Sequence, residues 1–195
     1  MTSPAPVERP TLRRATPADA ETLAALHTAS RATAYRGLLP DDYLDRVSPA
    51  ECLVEWRRKL LAQADDGAGQ TLVAEVAATA TTVPTDGTDE REAIGFACMS
   101  EPDDQGSVYL DNLHARPDRK GVGLGTAMLT AATRWARERG ARRMHLLVLE
   151  GNVAAIGFYE ARGWHRAGRN DNDEMGGHRI SSLVYALELE PRSGD

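Results

Sequence analysis

The sequence predicts a single domain of the mixed α/β (α+β) class, and three observations lead to this prediction. The chain has 195 residues, which is enough to bury a core within one domain. Strand-like segments alternate with segments whose apolar residues recur at helical spacing. The strands come mainly early and the helices interleave late, a pattern typical of a mixed domain. We expect this domain to occupy residues 11–190, between a disordered tail at 1–10 and a second tail at 191–195.

The first third of the chain predicts one strand and three helices. Residues 11–15 can form a strand, and residues 16–30 then open with Thr-Pro and an aspartate two positions after the proline, which is a helix-start pattern. A short helix is expected at 41–47, directly after a proline. Residues 48–64 repeat the start pattern with Ser-Pro and a glutamate, and their apolar residues recur at helical spacing.

The middle of the chain predicts three strands. Residues 70–77 and 93–100 are rich in apolar and β-branched residues, and 107–115 form another such run. The polar link 78–92, interrupted by Pro and Gly, predicts a mobile hairpin loop.

The last third predicts two helices and two strands. Apolar residues on one helical face extend over 124–139, until a glycine ends the helix. The apolar run 144–149 is typical of a buried strand. A short helix at 152–163 is capped by an asparagine and stopped by a glycine, and 180–189 form a last strand.

The composition of the chain limits its function. A formal net charge of -6, with no dominant basic stripe, argues against a nucleic-acid partner. No apolar run reaches the roughly 18 residues of a membrane helix, and no signal peptide is recognisable at the N-terminus. Cys52 and Cys98 are too few for a disulfide framework or a zinc site, and the histidines lack metal-ligand spacing. We therefore expect no metal, no membrane partner and a cytoplasmic location.

The stretch RKGVGLGTAML, residues 119–129, places three glycines directly before a helix. A glycine costs about 1 kcal/mol relative to alanine inside a helix, so Gly121, Gly123 and Gly125 indicate a special requirement. The free N–H groups and the dipole of a helix start bind anions, and glycines let the backbone approach a phosphate closely. The stretch therefore predicts an anion site beside Lys120, one of only two lysines in the chain.

Two other phosphate-binding motifs compete for this stretch. A P-loop is excluded because its lysine follows the last glycine, whereas Lys120 precedes all three. A dinucleotide fingerprint would need a glycine in place of Thr126, and only about 70 residues follow Gly125 to complete a doubly wound sheet. With Glu150 as the acid that binds the ribose, this alternative stays open.

The segment LHARPDRKGVGLGTAML resembles the acyl-CoA-binding motif of the GCN5-related N-acetyltransferase (GNAT) superfamily. Its pattern Q/R-x-x-G-x-G/A falls on residues 120–125, with Lys120 in place of Gln or Arg. A second likeness is LLVLEGNVAAIGFYEARGW, in which Asn152, Tyr159 and Gly163 match the superfamily's second motif. A third, AYRGLLPDDYLD, resembles a segment that closes over the acceptor site in a subset of these enzymes. That subset often has a tryptophan where this chain has Arg31.

This resemblance implies a central, mostly antiparallel sheet that is splayed at the cofactor and flanked by helices. It also implies acyl transfer from acetyl-CoA to a primary amine of a small molecule or peptide, and association as a homodimer. Tyr159 would protonate the leaving thiolate, and Asp111 would serve as general base. Tyr35 and Asn112 would contact the acceptor. The implied cofactor-binding residues are Leu113, His114, Ala115, Lys120, Gly121, Val122, Gly123, Leu124, Gly125, Thr126, Asn152, Phe158, Tyr159 and Arg162.

Strand alternation adds a prediction about the segment 107–115. Asp111, Leu113 and Ala115 should share one face, and Asn112 and His114 the other. The backbone around His114 would pair with the pantetheine arm. A non-catalytic acyl-CoA-binding module is a further alternative, against which the intact Tyr159 of the motif argues.

Overall fold

The structure is a computed structural model, and it describes residues 10–77, 91–119, 121–175 and 177–190. The strands are β1 (Thr11–Arg14), β2 (Gln70–Ala77), β3 (Arg91–Met99), β4 (Ser107–Ala115), β5 (Arg143–Leu149), β6 (His165–Met175) and β7 (His178–Glu188). The α-helices are α1 (Ala20–Ala34), α2 (Ser48–Asp65), α3 (Leu124–Glu138) and α4 (Val153–Glu160). A π-helical segment, Tyr43–Val47, leads directly into α2, and a 3₁₀ turn, Pro17–Asp19, precedes α1.

The strands form one sheet in the order β1-β2-β3-β4-β5-β7-β6. All neighbouring strands are antiparallel except β4 and β5, which are parallel and are connected through α3. The predicted mixed class and the mostly antiparallel sheet are therefore confirmed.

The parallel pair of strands separates soon after it forms. Residues Ser107, Val108 and Tyr109 of β4 pair with Arg143, Met144 and His145 of β5, and no pairing continues beyond them. Yet β4 extends to Ala115 and β5 to Leu149. A wedge-shaped gap consequently opens between the two strands.

Helices cover both faces of the sheet, because alternate strand residues are apolar in each direction. On one face, α1 and α2 pack through Leu23 and Trp56 against Phe96 of β3. On the other face, α3 packs through Met128 against a larger cluster that includes Met144. The glycine turn that precedes α3 therefore lies at the open end of the gap.

The structure departs from the predicted elements in four places. The polar strand β6 was not predicted, because as an edge strand it exposes most of its side chains. The start pattern at Ser48 does not begin a separate helix, since the chain enters α2 from the preceding π-helical segment. Strand β5 is not buried throughout, since Leu147 is 36% exposed. Arg91 and Glu92 belong to β3; apart from them and Pro10, the predicted loop 78–92 and tails 1–10 and 191–195 lie outside the described residues.

Candidate active site

A cleft of about 480 Å³ occupies the gap between β4 and β5. It is bounded by the end of α1, the glycine turn, the first turn of α3 and one side of α4. Most of the predicted site residues line it: Tyr35, Asp111, Leu113, His114, Ala115, Gly121, Gly123, Leu124, Gly125, Thr126, Asn152, Phe158, Tyr159 and Arg162.

Two predicted site residues are placed differently, and the structure does not describe a third. Val122 points away from the cleft and is 57% exposed. Asn112, expected at the acceptor, is buried within the sheet at 7% exposure and does not line the cleft. Lys120 lies outside the described residues.

The three glycines of the turn serve two different purposes. Gly121 and Gly123 have φ angles of +84° and +82°, in the left-handed region that L side chains rarely adopt, and Gly123 caps α3. Gly125 is needed for space instead, because a Cβ there would lie 3.1 Å from the Phe158 ring. The turn thus bends sharply into α3, while α4 packs closely against the helix start.

A fixed cation stands beside the N-terminus of α3. The Arg162 guanidinium lies over the Phe158 ring, 3.8 Å from its centroid, and donates to the Thr126 hydroxyl at 2.7 Å and to the Phe158 carbonyl at 2.7 Å. The first amide groups of a helix lack intrahelical acceptors and carry partial positive charge. Together these groups form a site suited to phosphate oxygens.

Tyr159 projects from α4 into the cleft. Asn152 caps this helix, because its side-chain oxygen accepts from the Ala155 amide at 3.3 Å. Tyr159 is 9% exposed, and its hydroxyl forms no hydrogen bond within the described part of the chain. Burial raises the pKa of this hydroxyl, and the neighbouring Tyr35 and Tyr109 raise it further. The hydroxyl therefore remains protonated around neutral pH.

Asp111 does not follow the predicted alternation of β4. Met99 pairs with Leu110, whereas Cys98 pairs with Asn112, so Asp111 is the extra residue of a β-bulge. Its carboxylate turns towards α2 and forms an ion pair with Lys59. The prediction that it shares a face with Leu113 and Ala115 is wrong, since these two pack in the core cluster of α3. The bulge explains the difference because one added residue reverses the alternation.

The side chains of Asp111 and His114 thus point towards α2 and α1, on the face of the sheet opposite to α3. The imidazole of His114 meets the Ser30 hydroxyl of α1 at 2.9 Å and lies 4.6 Å from the His27 ring, between centroids. The backbone of β4 from Leu113 to Ala115, in contrast, borders the cleft.

The end of the cleft near α1 has a buried hydrogen-bond chain behind Tyr35. Arg31, 6% exposed, donates to the Tyr43 hydroxyl at 2.8 Å, and this hydroxyl donates to Glu51 at 2.8 Å. Burial raises the pKa of the Tyr35 hydroxyl, an effect that the charge of Arg31 opposes. Arg31 does not line the cleft. It joins α1 to Tyr43, which belongs to the cluster against which Tyr35 packs.

Sequence reasoning missed several residues that the structure places at the site, and four of them bear on its chemistry or shape. Arg119 and Ser30 line the cleft, and so does Leu147; Lys59 binds Asp111 from below. Arg119 could have been found as a basic residue that adjoins the glycine turn. Ser30 and Leu147 carry no sequence signal, because only the tertiary fold brings them there.

Comparison with known families agrees with this geometry. Residues 56–164 match the model of the acetyltransferase (GNAT) family, which is more than half of the chain. The chain belongs to the GNAT family. The matched segment contains β4, the glycine turn, α3 and α4, and therefore most of the cleft.

Curated relatives of this GNAT protein match only in part. The peptidyl-lysine N-acetyltransferase YjaB of Salmonella typhimurium is 28% identical over 99 residues, which are 50% of this chain and 61% of that protein. The thialysine N-epsilon-acetyltransferase of Bos taurus is 28% identical over 68 residues, 30% of this chain and 40% of that protein. The chain thus spans less than two thirds of the length of these relatives.

Solved structures of GNAT proteins share the fold over nearly the whole chain. A GCN5-related N-acetyltransferase from Rhodopseudomonas palustris has a TM-score of 0.65 and 26% identity, covering 94% of this chain and 98% of that one. The PaiA N-acetyltransferase of Thermoplasma acidophilum, solved with coenzyme A, has a TM-score of 0.70 and 17% identity, covering 92% and 99%.

The described residues contain neither a membrane-spanning helix nor a group of metal-ligating side chains. None of the helices is both long and apolar enough to span a membrane. No three His, Cys, Asp or Glu side chains in this part of the chain are grouped so as to hold a metal ion.

Proposed function

We propose that this protein is an N-acetyltransferase that transfers the acetyl group of acetyl-CoA to a primary amine of a small molecule or peptide. One observation carries the proposal. One cleft between two separating strands brings together the first amides of α3, the Arg162 guanidinium and a protonated tyrosine, Tyr159, on α4. An acyl donor with a phosphate-rich end and a reactive thioester end requires this combination.

The residues of the cleft fit acetyl-CoA. The amides of the glycine turn and the first turn of α3, with Arg162, would hold the pyrophosphate. The exposed backbone edge of β4 from Leu113 to Ala115 would bind the amides of the pantetheine arm, as a neighbouring strand would. Bound acetyl-CoA supplies an acetyl group activated as a thioester.

The side chains near the strand separation would move the protons. Asp111 would accept a proton from the ammonium form of the acceptor, leaving a neutral amine that can attack the acyl carbon. The Tyr159 hydroxyl would then give its proton to the departing sulfur and regain one from solvent, while the second proton that the nitrogen loses on forming the amide would pass to solvent. Holding both substrates side by side would supply much of the rate acceleration.

Direct transfer is favoured over a covalent enzyme intermediate. Cys52 and Cys98 are buried, at 0% and 2% exposure, and neither lines the cleft. Burial also raises the pKa of the Cys98 thiol to about 11, so this thiol is not a nucleophile near neutral pH.

The test measures release of free CoA thiol from acetyl-CoA with a panel of amines: an amino sugar, a polyamine and a lysine peptide. We expect Tyr159→Phe to lower kcat by about 100-fold, while acetyl-CoA still raises the melting temperature of the variant. Tyr185→Phe is the matched control, since this buried tyrosine lies outside the cleft and bonds to Glu160.

The other outcomes would contradict the proposal in distinct ways. Binding of acetyl-CoA with no thiol release from any amine would indicate an acyl-CoA-binding module. A melting temperature that rises with NADH, but not with acetyl-CoA, would indicate a dinucleotide site instead.

A further inference from the structure

Lys59 is held firmly against Asp111, which lines the cleft. From α2, its ammonium donates to Oδ2 of Asp111 and to Glu55 at 2.9 Å, and it lies 5.2 Å from the centroid of the Trp56 ring. Only 16% of its side chain is exposed. These contacts leave the ammonium little freedom to move.

The ammonium of Lys59 stays charged in this position. Burial acts to lower its pKa, but the charge of Asp111, the hydrogen bond to it and the charge of Glu55 outweigh burial, and the pKa is raised. Withdrawing a lysine from water is costly unless a partner compensates. The chain nevertheless uses lysine here, although arginine supplies nearly all its other cations. An ammonium is a compact point charge that can bind one carboxylate oxygen, whereas a guanidinium tends to bind both.

The two oxygens of Asp111 have different surroundings. Oδ2 accepts from Lys59, whereas Oδ1 has no hydrogen-bond partner among the residues that the structure describes. Asp111 lines the cleft as the extra residue of the bulge in β4, and bulges commonly redirect a side chain. The carboxylate is therefore fixed through one oxygen, and the other is available to a molecule in the cleft.

We propose that Lys59 is a positioning residue that holds the Asp111 carboxylate in place through Oδ2, so that Oδ1 takes the proton of the acceptor ammonium. This inference rests on the proposed acetyltransferase function. In the step, an N–H bond of the acceptor breaks and an O–H bond forms at Oδ1. The acceptor nitrogen keeps the electron pair, and Asp111 later releases the proton to solvent.

Among the described residues around Asp111, Lys59 is the group that can orient the carboxylate. The other titratable groups near it are Glu55 on α2, Cys98 on β3 and Tyr109 on β4, with Tyr35 after α1 and Asp173 on β6 beyond Tyr109. The Cys98 thiol and the Tyr109 hydroxyl are neutral near pH 7, because burial raises the pKa of each. Lys59 is thus the cation in contact with this carboxylate.

The experiment compares Lys59→Met, Asp111→Asn and the double variant in the thiol-release assay, with the best amine of the panel. We expect Lys59→Met to lower kcat by about 10-fold or more, with little change in the KM for acetyl-CoA. The double variant should be no slower than Asp111→Asn alone, because Lys59 acts through Asp111.

Two further variants separate positioning from a structural role. Glu55→Gln, which removes the other partner of Lys59, should keep the wild-type kcat, because Asp111 still holds the ammonium. Lys59→Gln replaces Lys59→Met if the latter unfolds, as judged by urea denaturation. A folded Lys59 variant with wild-type kcat would overturn the proposal, and so would a double variant whose loss of kcat is the product of the two single losses. If wild type releases no thiol while acetyl-CoA binds, the proposed function fails first.

Discussion

His27 should make the stability of this protein depend on pH. It lies in α1 at 6% exposure, and its Nδ1 accepts a hydrogen bond from the Trp56 indole at 3.2 Å. Burial, followed by the charges of His114, Arg31 and Lys59, lowers the pKa of His27 from 6.5 to about 2. Protonation in the folded state would bury an unpaired charge and break the bond to Trp56.

The sign and size of the effect follow from the two pKa values. The unfolded chain protonates His27 near pH 6.5, whereas the folded chain does so only near pH 2, so stability is lost as the pH falls below about 6.5. Each pH unit below that value costs about 1.4 kcal/mol. Between about pH 7.5 and pH 5, the free energy of unfolding should therefore fall by about 2 kcal/mol through His27 alone.

The assay is urea denaturation at these two pH values. His27→Gln keeps an acceptor for the Trp56 N–H but cannot titrate, so its loss on acidification should be smaller than that of wild type by about 2 kcal/mol. His178→Gln changes an exposed histidine of β7 and should lose as much as wild type. An equal loss in His27→Gln and wild type would refute the argument that buried, neutral His27 controls this pH range.

Two predictions concern the anion site. Gly123→Ala should destabilise the fold by about 1–2 kcal/mol, because its φ of +82° is unfavourable for alanine although its Cβ would meet no neighbour. It should also weaken CoA binding, and titration calorimetry would show unchanged affinity if the turn did not bind phosphate. Arg162→Met should reduce CoA affinity by about tenfold in the same measurement. The free energy of unfolding, measured by urea denaturation, should change by less than about 1 kcal/mol. A CoA affinity equal to that of wild type would remove Arg162 from the proposed phosphate site.

The parts of the fold that depend on local chemistry could be predicted from the sequence. Asn152 caps α4 and the glycines bend the chain into α3, because a cap and a left-handed turn are decided by neighbouring residues. The apolar spacing of α3 likewise indicated which face is buried.

The remaining features depend on contacts between distant segments. Asp111 faces Lys59 because of a bulge, and a bulge is a property of two paired strands rather than of one. Strand β6 is polar and forms through backbone hydrogen bonds to β7, so its sequence lacks the apolar alternation that predicts a strand. Arg31 is buried through partners in three other segments, Tyr43, Cys52 and Met175.

The short parallel contact between β4 and β5 has a consequence for the cohesion of the protein. Among the residues that the structure describes, only three strand pairs join the β1–β4 half of the sheet to the β5–β7 half. A molecule bound along both strands would connect the two halves of the sheet, and would therefore stabilise the fold as well as take part in the reaction. Because such a ligand binds only the folded chain, each tenfold excess over its Kd adds about 1.4 kcal/mol to the free energy of unfolding. The concentration of this ligand would then determine the stability of the protein as well as its rate of reaction.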